Sequence, residues 1–229
     1  MDWEPVQKPA EIAESRLLEA ILSGHFPINA NLPGERELAE QIGVTRPTLR
    51  EALQRLARDG WLDIQHGKAT RVRDYWHEGG LGVLAVLAQT AVGLSPDFVT
   101  HLLELRVLLA PAYACQALEA ASQEVAALLE GYASLNDTPR AFAQADWDLH
   151  IFLTQRAENP IFRFLFNGFQ GISLPVGEKY FAFPECRRHS RGYYAELLGC
   201  ARNGAVFDAE SLTRRIMEES LALWQKLQK

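Results

Sequence analysis

Cysteine is scarce in this chain: 229 residues carry three, Cys115, Cys186 and Cys200. They form no CxxC pair and no even framework, which argues against a disulfide scaffold and fits a reducing, cytoplasmic setting. Long apolar runs are lacking as well. No stretch of about 18 consecutive apolar residues and no signal peptide is evident, so no membrane partner is expected. Catalytic signatures are missing too, with no G-x-S-x-G, no glycine-rich phosphate loop and no H-E-x-x-H. Ser220, Cys186 and His189 could be imagined as nucleophile and base. Cys186 and His189, however, fall three apart in an arginine-rich segment that reads as surface, so no enzyme and no catalytic residue is expected. Positive charge is also in deficit, with 23 Lys and Arg against 29 Asp and Glu for a net charge of −6. What remains, 48% hydrophobic and 23% charged residues, suits one or two ordered domains.

Against that acidic background, residues 32–73 stand out. Thr45 is a good N-cap, and Pro47 falls in the first helical turn, where its missing N–H is not needed. Leu49, Ala52, Leu53 and Leu56 then recur at three- and four-residue spacing as one apolar stripe. Arg46 and Arg50 lie four apart on a different stripe, with Thr48 beside them. A preceding helix over Glu35–Ile42 ends at Gly43, a natural C-cap for a tight turn. After Gly60, Trp61–Gln65 alternates as a half-buried strand should, His66-Gly67-Lys68 is a turn, and Thr70–Arg73 returns as the partner strand. Residues 46–73 hold seven Arg and Lys against three Asp and Glu. Helix, turn, arginine-bearing helix and basic hairpin make a winged helix-turn-helix. Its expected partner is double-stranded DNA, read in the major groove by the N-terminal end of the second helix.

The stretch resembles the GntR family of bacterial regulators. It carries that family's P-x-E-R-x-L-A as Pro33–Ala39 and V-x-R-x-T-L-R-E-A-L-x-x-L as Val44–Leu56. The run RLARDGWLDIQHGK is similar to a narrower branch of the family concerned with fatty-acid metabolism. The resemblance implies DNA contacts by Arg36, Thr45, Arg46, Thr48, Arg50, His66, Gly67 and Lys68. Pro47 belongs to the same row but departs from the threonine often found there, which removes one hydroxyl from the phosphate contacts.

The fold expected is mostly α. Residues 1–74 form the winged head with its small hairpin, glycine-containing residues 75–82 a linker, and residues 83–229 an all-α bundle for effector binding and dimerisation. Helical patterns cover Phe98–Leu118, Gln123–Leu135, Phe142–Ala157, Ile161–Phe169, Arg188–Asn203 and Ala209–Leu227. Loop signals separate them at Ser95-Pro96, Asn136–Pro139, Asn159-Pro160, Phe183-Pro184 and Asn203-Gly204.

Two ligand chemistries compete for the bundle. Asp146 and His150, four apart on one helix face, are spaced to hold a cation. Many relatives complete such a site with two further histidines. Here the matching positions carry Tyr194 and Ser220, leaving a pair that reads better as a helix-surface or supporting ion pair than as a metal site. The second chemistry is a long-chain acyl-CoA, implied by similarity of FNGFQGISLPVGEKYFAFPE and the terminal ESLALWQKLQK to the fatty-acid branch. It places Arg106, Tyr180, Met217, Ser220, Trp224 and Lys229 at the ligand. Met217 stands where that branch has a small residue and would reshape the pocket. Phe162, Phe164, Phe166, Phe169 and Phe181 could line a tail cavity, or could simply be core. Arg106 and Lys229 could meet the head-group phosphates, or Arg106 could be a buried arginine paired with Glu104 or Glu219. No cofactor is expected. The resemblance further implies a homodimer on a palindromic operator, released by acyl-CoA, that represses fatty-acid degradation genes and activates unsaturated fatty-acid synthesis genes.

Overall fold

The computed structural model describes residues 8–87 and 95–229. It divides into two compact units, residues 1–84 and 85–229. The first opens with α1 (Pro9–Leu22), a helix the sequence reading did not anticipate. Its buried face is Ala10, Ala13, Leu17 and Ile21, and two alanines in four make a weak stripe. α2 (Glu35–Ile42) and α3 (Arg46–Arg58) follow as expected. Gly43 sits between them in the left-handed region at φ 76°, where its N–H satisfies the Ala39 and Glu40 carbonyls. Arg16 also bonds the Ile42 carbonyl, so α1 fastens the same turn.

The hairpin is shorter than expected. β1 (Leu62–Asp63) pairs antiparallel with β2 (Arg71–Val72), and Asn31 bridges Arg71 on the far side. The expected alternation does not hold either, because Trp61 and Leu62 are both buried while Ile64 is exposed. Trp61 turns inward against Tyr75, with ring centroids 4.9 Å apart. Tyr75 belongs to α4 (Tyr75–Glu78), a single turn capped by Asp74, and α5 (Leu81–Leu87) comes next. Helical backbone therefore occupies part of the segment expected to be a glycine-rich linker.

The second unit is helical throughout its described residues. α6 (Pro96–Glu130) is its axis and packs against the C-terminal helix, α7 and α10. Its backbone leaves helical geometry at Ala121 (φ −150°, ψ 42°), where the sequence pattern also breaks. One 18-residue window within Pro96–Ser134 has a mean hydropathy of 1.3 and is apolar enough to cross a membrane by length and composition. One third of that window is buried within the helical unit. α7 (Pro139–Arg156), α8 (Pro160–Gly168), α9 (Gln170–Tyr180), α10 (Pro184–Asn203) and α11 (Val206–Leu227) complete the unit.

Four of the five loop signals read from the sequence are helix starts, and Asn203-Gly204 ends α10. Ser95, Thr138 and Asn159 each accept a backbone N–H in the following turn, and each is followed by proline at the first helical position. α9 was not anticipated because Gly171, Pro175 and Gly177 obscure its periodicity. Gly177 has a packing reason: a Cβ there would lie 2.9 Å from the Ala143 Cβ, so α9 approaches α7 too closely for any side chain.

Candidate functional site

Two surfaces carry chemistry. In the first unit, Thr45 caps α3, its Oγ1 accepting the Thr48 N–H at 3.4 Å and lying 2.8 Å from the Thr48 hydroxyl. The apolar stripe Leu49, Ala52, Leu53 and Leu56 is buried, which turns Arg46, Pro47 and Arg50 outward, all exposed. Arg36, near the start of α2, is exposed too. Arg50 differs from the other two arginines in having a partner: its Nε donates to Glu35 Oε2 at 2.7 Å. Among the described residues Arg36 and Arg46 form no ion pair.

At the hairpin tip, His66, Gly67 and Lys68 are exposed. The Lys68 Nζ donates to Gln65 Oε1 at 2.7 Å, and Gln65 in turn donates to Asp63 at 2.8 Å. Lys68 N–H closes the turn onto the Gln65 carbonyl. The expected DNA-facing residues thus fall into two exposed groups, one at the α2–α3 corner and one at the hairpin tip.

In the second unit, α6, α7, α8 and α9 surround an apolar cavity of about 100 Å³. Val99, Leu103, Phe166, Phe169, Ile172 and Phe181 are among its apolar walls, and Arg106, Asp146, His150 and Tyr180 supply polarity. Phe164, expected in this lining, points out and is 65% exposed, while Phe162 belongs to the core.

The polar side chains of the cavity form one connected group. Arg106 grips Asp146 with both terminal nitrogens, Nη1 to Oδ2 at 2.9 Å and Nη2 to Oδ1 at 3.3 Å. Nη2 also bonds His150 Nε2, Tyr113 Oη lies 2.6 Å from His150 Nδ1, and Tyr194 Oη donates to Asp146 Oδ1 at 3.2 Å. An arginine can only donate, so His150 Nε2 accepts and Nδ1 carries the proton toward Tyr113. Burial, assisted by the Arg106 charge, pushes the His150 imidazole down to about 3 against the pull of Asp146. Burial alone would raise the Asp146 carboxyl. Arg106 and His150 outweigh it and hold that carboxyl below its ordinary value.

Several expectations need correction here. Asp146 and His150 are not on the helix surface but buried. The partner of Arg106 is Asp146, neither Glu104 nor Glu219. Among the described residues no three His, Cys, Asp or Glu side chains gather as a metal site. Of the two positions expected to match those histidines, Tyr194 does join Asp146, but Ser220 does not. Ser220 Oγ is 3.4 Å from His189 Nδ1, and His189 Nε2 is 3.0 Å from Glu219. Cys186, read as surface, is fully buried.

Of the expected ligand residues, Arg106 and Tyr180 line the cavity. Met217, Ser220 and Trp224 lie buried on α11, and Lys229 is exposed at the chain end. Trp224 is fully buried, its Nε1 donating to the Pro96 carbonyl at 3.2 Å and Thr100 Oγ1 at 3.1 Å. Its ring lies 6.0 Å from that of Tyr180. The Tyr180 hydroxyl is buried with no hydrogen bond of ordinary geometry. Tyr113 and Glu35 are the site residues the sequence reading missed. Neither bore a local signal, since their partners lie 37 and 15 residues away.

Comparison with known proteins follows the same division. Residues 9–72 match the model of bacterial regulatory proteins of the gntR family, and residues 73–229 match the FadR C-terminal domain. A fatty acid metabolism regulator protein of Pasteurella multocida is 37% identical over 222 residues, covering 97% of this chain and 92% of the relative. One of Escherichia fergusonii is 39% identical over 223 residues, covering 97% and 93%. Among solved structures, Lar of Listeria monocytogenes aligns over 98% of this chain and 100% of its own with a TM-score of 0.66 at 19% identity, a likeness of fold. A winged head of this sequence joined to a helical unit of this kind is decisive: the chain belongs to the gntR family of bacterial regulatory proteins and carries a C-terminal domain of the FadR type.

Proposed function

We propose that this chain is a cytoplasmic, homodimeric transcriptional regulator of fatty-acid metabolism that leaves its palindromic operator when a long-chain acyl-CoA fills the helical unit. Its relatives are fatty acid metabolism regulators over nearly their whole length, and it acts as a regulator rather than an enzyme. Two copies set two α3 helices in successive major grooves about 34 Å apart. There Arg36, Arg46 and Arg50 address bases, Thr45 and Thr48 address phosphates, and His66, Gly67 and Lys68 reach the backbone or minor groove. Repression of degradation genes and activation of unsaturated fatty-acid synthesis genes then depend on where each operator lies relative to polymerase.

The observation that carries the effector assignment is the apolar cavity lined by α6 to α9. An alkyl chain is the ligand that such walls reward, at about 0.8 kcal/mol per buried methylene. Arg106 and Tyr180 border it directly. Met217, Ser220 and Trp224 lie buried on α11, the Trp224 ring 6.0 Å from that of Tyr180, with Lys229 available to a phosphate. A metal-bound small carboxylate, the alternative effector, is disfavoured because the Arg106 guanidinium already supplies the positive charge between Asp146 and His150.

The test is fluorescence anisotropy of a labelled palindromic operator of the kind bound by fatty acid metabolism regulators. The titration is run at fixed salt with oleoyl-CoA and then with free CoA. Release by oleoyl-CoA alone is expected. Tight binding without release would sink the acyl-CoA assignment and keep the DNA reader; no binding would sink both.

A further inference from the structure

Three arginines occupy the α2–α3 corner, and only Arg50 is held by a carboxylate. Glu35 stands at the first position of α2, where the helix N-terminus favours negative charge. It reaches across to α3 and accepts the Arg50 Nε–H at 2.7 Å. Both groups are solvent-exposed, Arg50 at 68% and Glu35 at 42%. As a stability device such a pair contributes little. Its geometry has another consequence. A guanidinium offers a planar fork, and engaging Nε occupies its side edge while leaving the end edge, one N–H from each terminal nitrogen, free to donate. Those two nitrogens are the pair that can meet guanine O6 and N7 together.

We propose that Glu35 is a specificity-determining positioning residue: it orients Arg50 for end-on recognition of one G·C pair in each operator half-site. It rests on the DNA-reader function proposed above. The same carboxylate offsets one positive charge at the interface, so it lowers affinity for DNA of arbitrary sequence while sharpening recognition of the operator. In an acidic chain whose residues 46–73 carry a local excess of positive charge, that combination raises the ratio of specific to nonspecific binding, the quantity that matters among competing genomic sites.

The two contributions separate by substitution. Glu35→Gln removes the charge but keeps an amide oxygen that can accept from Arg50 Nε. Glu35→Ala removes both. Each variant of the full-length chain is titrated by anisotropy against the operator palindrome, against the same palindrome with each G·C pair of the half-site exchanged in turn, and against a random duplex over a salt series. Arg50→Ala identifies the base pair that Arg50 reads, as the one whose exchange no longer weakens binding.

The expected result is that Glu35→Ala shrinks the penalty at that same pair by about tenfold, whereas Glu35→Gln retains most of it. Both should bind random DNA more tightly, with a steeper salt slope by up to about one. Thermal melts matching wild type exclude misfolding as the cause. The proposal is overturned if Glu35→Ala keeps the wild-type penalty profile, which makes the pair a surface contact only. It is equally overturned if adding Glu35→Ala to Arg50→Ala erodes discrimination further, because Glu35 would then act elsewhere. A wild-type chain that binds operator and random duplex alike would instead defeat the DNA-reader function itself.

Discussion

The Arg106 guanidinium, lying between Asp146 and His150, converts a two-ligand spacing into a buried ion pair with a neutral imidazole alongside. That neutrality has a measurable cost in acid. Below about 6.5 the unfolded chain binds a proton at His150 that the folded chain refuses until about 3, so stability falls as pH drops through that window. Asp146, held below its ordinary value, adds a loss of the same sign once pH falls through its folded value. Between pH 7 and pH 5 the histidine share is about 2 kcal/mol. Urea unfolding at the two pH values should show a drop of that size that shrinks in His150→Gln. An unchanged pH slope in the variant would remove His150 from the account.

At the scale of the element, local chemistry explains most boundaries. A capping side chain followed by proline begins α6, α7 and α8, and Gly43 ends α2. Gly43→Ala places a Cβ 3.3 Å from Arg16 Nη1 at φ 76°, and should cost about 1–2 kcal/mol in urea unfolding. Retention of wild-type stability would show that the turn can relax without left-handed backbone. α1 was passed over because alanines supply half its buried face, and α9 because glycine and proline break its pattern. α11 teaches a different point. Trp224 was expected at the ligand, yet it is fully buried and bonded to α6. Trp224→Ala should therefore destabilise the helical unit by about 3–5 kcal/mol. A variant with wild-type unfolding but a blunted oleoyl-CoA response would instead make Trp224 a ligand contact rather than a core residue.

At the scale of the whole molecule, a net charge of −6 coexists with a basic corner, so DNA affinity depends on where charge sits rather than on its sum. Coupling between operator and effector is reciprocal. If oleoyl-CoA weakens operator binding by some factor, saturating operator must weaken oleoyl-CoA binding by the same factor. Isothermal titration of oleoyl-CoA with and without operator duplex checks this, and equal affinities in the two titrations would contradict effector-driven release.

The sequence by itself determined the reader corner. Its cap, proline, apolar stripe and outward arginines are all encoded within about one helix length, where backbone geometry alone decides which face each side chain takes. Only the tertiary structure decided what those side chains meet. Arg50 finds Glu35 across a turn, Arg106 finds Asp146 forty residues on, and Trp224 bonds to the start of α6. The partner of a buried charge or ring is chosen by the packing of helices distant in sequence, and no local periodicity records that choice.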